Sequence, residues 1–170
     1  AFSKIVPINA PACTEICRLG AGSVRIFHGA MNNLAPAADA ENMYFELDHY
    51  CKSDVELTLF DTLGHNIQDE VFLNEDFWMW FTGSNFKQGN QSHQIIEKHI
   101  SRQISRTVKD NFLLYLPRGY LKTETQWPLL VFLHGSGSAI QDIEKIRSTG
   151  PPRLFEEGMN SDFVLLAPQL

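Results

Sequence analysis

The 170-residue sequence predicts a mixed α/β chain in two parts, a β-rich N-terminal module over 1–90 and an α/β unit over 91–170. Three observations predict it. Alternating polarity between 44 and 60 indicates half-buried strands, because successive side chains of a strand point to opposite faces. A strand, a glycine loop, helical segments and a second strand follow one another over 129–167, which is the pattern of a βαβ unit. A polar segment without periodicity over 83–92 separates the two parts.

The charge balance changes at the same place. Residues 1–92 carry 12 acidic and 5 basic side chains, whereas residues 93–170 carry 8 acidic and 9 basic ones, which favours two units of different character. The formal net charge of −6 argues against nucleic acid as a partner, because phosphate binding needs a basic face. The longest apolar run, Leu129–Leu133, is much shorter than the roughly 20 residues of a membrane-spanning helix. We expect no membrane span.

The N-terminal module is interpreted as a set of strands. Val24–Phe27 favours a short strand, and 32–40 is typical of a loop. Tyr44–His49 and Val55–Phe60 alternate in polarity and predict two strands of an antiparallel sheet. The aromatic run Phe77–Phe81 predicts a third strand, and an immunoglobulin-like module is one architecture that fits. Core packing is the favoured role of this run, and an aromatic platform for sugar or polymer is the alternative.

The three cysteines, Cys13, Cys17 and Cys51, cannot all pair with one another. Cys13 and Cys17 are four residues apart and no second cluster completes a zinc set, so we expect no metal and no other cofactor. Reduced or partly buried thiols are the favoured interpretation. The N-terminal residues do not show the pattern of a signal peptide, which favours the cytoplasm over secretion and otherwise leaves the compartment open.

The second part of the chain gives stronger signals. Ile100–Val108 and Phe112–Leu116 predict two strands joined by a turn at Lys109–Asn111. Leu129–Leu133 is apolar on both faces, as expected of a strand in the middle of a sheet with helices on both sides. The two helices and the last strand are predicted over 141–148, 152–157 and Phe163–Ala167.

The segment His134–Gly135–Ser136–Gly137 follows the first of these buried strands. Its two glycines permit a tight turn and expose backbone N–H groups. Ligands of open α/β sheets bind at this carboxyl end of the strands. The loop lacks the lysine of a phosphate-binding Walker loop and the third glycine of a dinucleotide loop. A structural turn without a catalytic role is the alternative.

Four motifs occur in order along this part of the chain: YLPRGY at Tyr115–Tyr120, WPLLVFLHGSG at Trp127–Gly137, GPPRLFEEG at Gly150–Gly158 and FVLLAPQ at Phe163–Gln169. Residues 95–170 thereby resemble the start of an α/β-hydrolase domain. The resemblance is to esterases of the phospholipase/carboxylesterase type and to the "predicted peptidase" group near prolyl oligopeptidases. It implies a sheet that begins with antiparallel strands and continues as a βαβ unit.

The resemblance also implies roles for the loop residues. The backbone N–H of Ser136 would contribute to an oxyanion hole, Gly135 and Gly137 would shape the loop, and His134 would pack beneath it. The nucleophile elbow GxSxG, the acid and the histidine come later in such domains, and no GxSxG occurs in these 170 residues. The other histidines are expected to be surface or satisfied core residues: His28, His49, His65, His93 and His99.

We therefore expect the N-terminal portion of a carboxylesterase-like or peptidase-like serine hydrolase. The complete enzyme would act on a small ester or a short peptide, and the 170-residue chain alone would be inactive because it lacks the triad. The alternative is a non-catalytic β-rich binding or interaction module joined to a degenerate hydrolase stub. An open outer edge at the Phe163–Ala167 strand would favour self-association.

Overall fold

The computed structural model describes residues 3–11, 17, 22–83, 87–88, 94–103, 107–122, 126–135 and 142–169. The chain forms two compact units, unit 1 over Ala1–Leu73 and unit 2 over Asn74–Leu170. The polar segment over 83–92, which the sequence suggested as a linker, falls within the range of unit 2.

Unit 1 is built on a parallel sheet. Its elements are strand β1 (Lys4–Ile5), strand β2 (Ser23–Gly29), helix α1 (Ala37–His49), strand β3 (Asp54–Phe60) and helix α2 (Gln68–Phe72). The sheet order is β1-β2-β3, and both pairs of neighbouring strands are parallel. Arg25 of β2 lies opposite Glu56 of β3, and their side chains form an ion pair with Arg25 Nε 2.8 Å from Glu56 Oε2.

The strand predicted at Tyr44–His49 is wrong, because these residues lie in helix α1. The helix buries one stripe, Ala40, Met43 and Leu47, against apolar side chains of β2. Residues three and four apart share a helix face, so this stripe is the helical signal that the alternation in polarity concealed. The loop predicted over 32–40 is wrong over its last four residues, because helix α1 begins at Ala37.

Strands β2 and β3 confirm the strands predicted at 24–27 and 55–60, but the predicted antiparallel sheet is wrong. The two strands are parallel because α1 crosses between them, and parallel neighbours need such a crossover in place of a tight hairpin. An immunoglobulin-like module consists of antiparallel strands. The described part of unit 1 is an α/β arrangement of a different kind.

Two of the cysteines form a disulfide, Cys17–Cys51, with Cα atoms 5.3 Å apart. The interpretation of these two side chains as reduced thiols is therefore wrong. The disulfide was not predictable from the sequence, because 34 residues separate the two cysteines and sequence spacing alone does not show that two distant segments lie side by side. Cys13 lies outside the described residues.

Unit 2 contains a four-stranded mixed sheet. Its helices are α3 (Glu75–Thr82), α4 (Ile143–Arg147) and α5 (Gly150–Glu156), with a 3-10 turn at Tyr120–Lys122. Its strands are β4 (Lys87–Gln88), β5 (Gln94–Gln103), β6 (Thr107–Leu116), β7 (Leu129–Val131), β8 (Met159–Asn160) and β9 (Val164–Pro168). The order in the large sheet is β5-β6-β9-β7, with β5/β6 and β6/β9 antiparallel and β7/β9 parallel. Strands β4 and β8 form a separate antiparallel pair.

The strand predicted at Phe77–Phe81 is wrong, because this segment forms helix α3. The Asn74 side chain accepts hydrogen bonds from two N–H groups of the first turn, and Gly83 ends the helix. Trp78 is buried and stacks on Phe163 at 5.5 Å between ring centroids. Phe77 is also buried, so core packing is confirmed as the role of these two aromatic side chains.

An antiparallel strand pair is confirmed in this region as β5 and β6, but its predicted bounds are wrong. Lys109–Asn111, predicted as the turn, pair within β6, and the end of the predicted strand Ile100–Val108 also belongs to β6. The prediction that Leu129–Leu133 lies in the middle of the sheet is also wrong. Among the described strands β7 occupies an edge, and Leu129 and Leu133 are about 60% exposed. The open edge predicted at the Phe163–Ala167 strand is wrong, because β9 pairs with β6 on one side and with β7 on the other. Among the described strands, the open edge on this side of the sheet belongs to β7.

The two helices between β7 and β9 are confirmed. Helix α4 is shorter than the predicted segment 141–148, and helix α5 begins two residues before the predicted segment 152–157 and ends one residue before its end. Strand β7, the two helices and β9 form the expected βαβ unit. Within the described part of the chain, no helix is long and apolar enough to cross a membrane.

Candidate functional site

The glycine loop, His134–Gly137, begins shortly after the carboxyl end of β7 at Val131. The Phe132 N–H still donates to the Leu166 carbonyl of β9 at 2.9 Å, so the backbone follows the sheet one residue beyond the strand. Further along, His134 is half-buried and Gly135 is exposed, and no heavy atom of the described residues lies within 4 Å of where a Cβ of Gly135 would stand. The loop therefore leaves the sheet with an open surface at Gly135.

The His134 ring stays close to its own loop. Its Nδ1 lies 2.9 Å from the Gly135 carbonyl oxygen, and because a carbonyl only accepts, Nδ1–H is the donor. This bond holds the ring against the loop backbone. Ser136 and Gly137 lie outside the described residues, so the oxyanion-hole role of the Ser136 N–H stays a prediction.

Phe132 and Gly150 set the base of the loop. The Phe132 ring lies against the backbone of Gly150, and a Cβ at Gly150 would stand 2.7 Å from the Phe132 Cζ atom. Gly150 has a φ of +52° and is the first residue of α5. The glycine in the GPPRLFEEG motif therefore lets helix α5 approach the end of β7.

A polar network fastens the two helices to the sheet. The buried Tyr115 of β6 donates its hydroxyl hydrogen to Glu156 Oε1 at 2.9 Å, and Arg147 pairs with the same oxygen at 2.7 Å. Burial raises the pKa of Tyr115, and the hydrogen bond and negative charge of Glu156 raise it further. Tyr115 is therefore a neutral donor that, with Glu156 and Arg147, joins β6, α5 and α4.

A second group of polar side chains lies in unit 1, at the carboxyl ends of the parallel strands β2 and β3. His65 follows β3, and its Nδ1 lies 3.3 Å from Asn32 Oδ1 in the loop after β2. The two loops approach closely, since a Cβ at Gly29 would stand 2.0 Å from the Gly64 carbonyl oxygen. Glycine at position 29 is thus required for the approach that brings Asn32 and His65 together.

His28 and Asn9 complete this group. The buried His28 donates from Nε2 to the Ala35 carbonyl at 2.9 Å, and its Nδ1 has no hydrogen-bond partner among the described residues. The Asn32 amide nitrogen lies 3.5 Å from the same Nε2, which is a contact because both atoms are donors. Asn9 Oδ1 accepts from the Gly29 N–H at 2.9 Å, and Asn9 Nδ2 donates to the carbonyl of His65.

Among the other histidines, His28 is a core residue and His49 is an exposed one that stacks on Phe45. The side chains of His93 and His99 lie outside the described part. The pair of Asn32 and His65 was missed in the sequence, since 33 residues separate them and neither stands in a recognised motif. The one feature that the two residues share in the sequence is that each closely follows a strand. This feature predicts that they lie close together only when the two strands are parallel.

The described residues contain no group of three or more His, Cys, Asp or Glu side chains arranged to hold a metal ion. No protein-family model, curated protein or solved structure matches the chain.

Proposed function

We propose that unit 2 supplies the oxyanion-hole loop and the first strands of a serine hydrolase that acts on ester or amide carbonyls. The observation that carries the proposal is the position of the glycine loop. It follows the carboxyl end of a strand in a mixed sheet, with an exposed Gly135 at its start. Backbone N–H groups held in such a loop can donate to an oxygen that gains negative charge in the transition state.

The topology of unit 2 supports this proposal. The resemblance implied antiparallel first strands followed by a βαβ unit, and the described strands pair in that way. The four motifs also lie in neighbouring strands of the sheet and in the helix between β7 and β9. YLPRGY begins in β6, WPLLVFLHGSG contains β7, GPPRLFEEG forms α5 and FVLLAPQ contains β9.

The substrate in this proposal is a small ester or a short peptide, because the loop offers donors to a carbonyl oxygen. The chain contains no GxSxG elbow, so the nucleophile comes from outside these 170 residues. The 170-residue chain alone is accordingly inactive, since an oxyanion hole without a triad gives only a small residual rate. The alternative function is a non-catalytic interaction module.

The test is ester hydrolysis by two proteins, the 170-residue chain and the full-length gene product that contains it, with p-nitrophenyl butyrate as the substrate. A fluorophosphonate probe, which labels activated serines, is applied to both. We expect turnover and labelling of the full-length product and neither for the chain. Serine-dependent turnover by the chain, or a folded full-length product with neither turnover nor labelling, would overturn the proposal, and the second result would favour the interaction module.

A further inference from the structure

The orientation of the Asn32 side chain is fixed by its surroundings. Its Oδ1 atom accepts hydrogen bonds from the backbone N–H groups of Leu34 at 3.0 Å and Ala35 at 3.3 Å. The amide oxygen and nitrogen of an asparagine are told apart by such partners, and two N–H donors identify this atom as oxygen. Asn32 is also buried, with 6% of its surface exposed. The amide therefore presents a fixed acceptor to the third group near Oδ1, which is His65.

The hydrogen bond with Asn32 sets the tautomer of His65. An amide oxygen accepts and never donates, so His65 Nδ1, at 3.3 Å, carries the hydrogen. In the neutral ring the other nitrogen, Nε2, then has the lone pair. Asn9 holds the backbone of the same residue through the bond to the His65 carbonyl. Both the ring and the main chain of His65 are thus held by asparagine side chains.

The position of His65 is suited to a ligand. It lies at the carboxyl ends of two parallel strands, where open α/β sheets bind their ligands, and its side chain is only partly buried. The loop that carries Asn32 also exposes two large apolar side chains, Met31 at 67% and Leu34 at 73%. Small-molecule sites combine an apolar lining with a few fixed polar groups.

We propose that the carboxyl edge of the unit 1 sheet is a binding site in which His65 Nε2 accepts a hydrogen bond from a ligand hydroxyl. Met31 and Leu34 contact the apolar part of the same ligand. The ligand class is a small alcohol with an apolar group, and Asn32 is the positioning residue for the ring. This site lies in unit 1 and does not rest on the function proposed for unit 2.

Asn32 orients the ring without adding charge. A carboxylate in the same place would favour the imidazolium form, because an opposite charge within about 4–6 Å stabilises it. The amide gives no such stabilisation, so it orients the ring through the hydrogen bond alone. The variant Asn32→Asp has nearly the same shape and adds the charge, so it separates orientation from electrostatics.

The first experiment is long-range ¹H–¹⁵N NMR of the 170-residue chain above the imidazole pKa. We expect the His65 ring to be protonated at Nδ1 and bare at Nε2. Asn32→Ala is expected to give a tautomer mixture, whereas Asn32→Asp, which keeps an acceptor oxygen in the same place, is expected to keep the hydrogen at Nδ1. Asn33→Ala is the matched control, since Asn33 is exposed and precedes the same two N–H donors. An Nε2–H ring in the wild type, or no change in Asn32→Ala, would overturn the assignment.

The second experiment tests the ligand with benzyl alcohol and, as a control, benzyl methyl ether, which lacks the hydroxyl donor. We expect saturable shifts of the His65 Nε2 resonance at millimolar benzyl alcohol. The ether should give shifts at least several-fold smaller, and Asn32→Ala should weaken the response to the alcohol. Equal responses to the two compounds would contradict a hydroxyl acceptor, and the lack of any response would contradict a binding site.

Discussion

Substitution of Gly150 by alanine tests how the base of the glycine loop is held. Two effects act at this position. The φ of +52° lies in the left-handed region, where an L-residue with a Cβ costs about 1–2 kcal/mol. The new methyl group would also stand 2.7 Å from Phe132 Cζ and 3.0 Å from Phe132 Cε2, closer than real Cβ atoms come to a neighbour.

The size of the steric effect depends on how tightly the Phe132 ring is packed. Adding a methyl group to a packed site typically costs about 1–3 kcal/mol. Phe132 is only half-buried, so its ring can move in part toward solvent, and the lower end of that range applies. We therefore expect Gly150→Ala to lower the free energy of unfolding by about 2–4 kcal/mol.

The assay is urea denaturation followed by tryptophan fluorescence, with two further variants. Gly119→Ala is the matched control, because Gly119 also has a positive φ, +83°, but no heavy atom in the described part of the chain lies within 4 Å of its Cβ position. It should lose only the backbone part, about 1–2 kcal/mol. Phe132→Leu removes the ring atoms that the methyl group meets, so the double variant should cost less than the two single changes added together.

Equal losses of stability in Gly150→Ala and Gly119→Ala would refute the reasoning. Additive effects of Gly150→Ala and Phe132→Leu would refute it as well, because they would show that the ring and position 150 are not in contact. Either result would mean that α5 does not fix the end of β7 through Phe132.

Two further predictions concern the disulfide and the buried tyrosine. Replacing Cys17 and Cys51 by serine should lower the free energy of unfolding by about 4 kcal/mol in the loop-entropy model for a separation of 34 residues; a loss of under about 1 kcal/mol in urea titrations would contradict the disulfide. The pKa of Tyr115 is raised from its usual 10.0 by burial and by Glu156, so its neutral form stabilises the fold below pH 10, and this contribution is lost as the pH rises above 10. Tyr115→Phe should flatten the alkaline part of the curve of stability against pH, and an unchanged curve would count against the bond to Glu156.

The sequence predicted the strongly apolar strands well. The runs that became β7 and β9 were identifiable because continuous apolar residues bounded by turn residues have few other structures. Their places in the sheet were not predictable, since β9 lies between β6 and β7 although it follows both in the chain. The order of strands depends on tertiary pairing, which local sequence does not report.

Helices α1 and α3 were predicted as strands for a physical reason. In α1, the polar and apolar residues of 44–49 alternate, yet the buried residues Ala40, Met43 and Leu47 follow the helical period. In α3, aromatic residues favour strands by propensity, but Asn74 and Gly83 provide the start and stop signals of a helix. In α3 the capping residues were more informative than residue preference, and in α1 the spacing of the buried residues was.

The two candidate sites differed in whether the sequence alone could predict them. The glycine loop was found because its residues are contiguous. The pair of Asn32 and His65 depends on two loops that meet only when β2 and β3 are parallel. The sequence predicted an antiparallel sheet from Tyr44–His49 and Val55–Phe60 instead, so these two loops were not expected to meet.

The proposed oxyanion hole depends on the backbone of Ser136 and not on its hydroxyl, so one comparison tests it most directly. In the full-length gene product, kcat for p-nitrophenyl butyrate is measured for Ser136→Pro, which removes the N–H, and for Ser136→Ala, which keeps it. Thermal melting of both variants checks that they fold. We predict a loss of about 100- to 1,000-fold for the proline variant and at most a few-fold for the alanine variant. Equal losses in two folded variants would contradict the account.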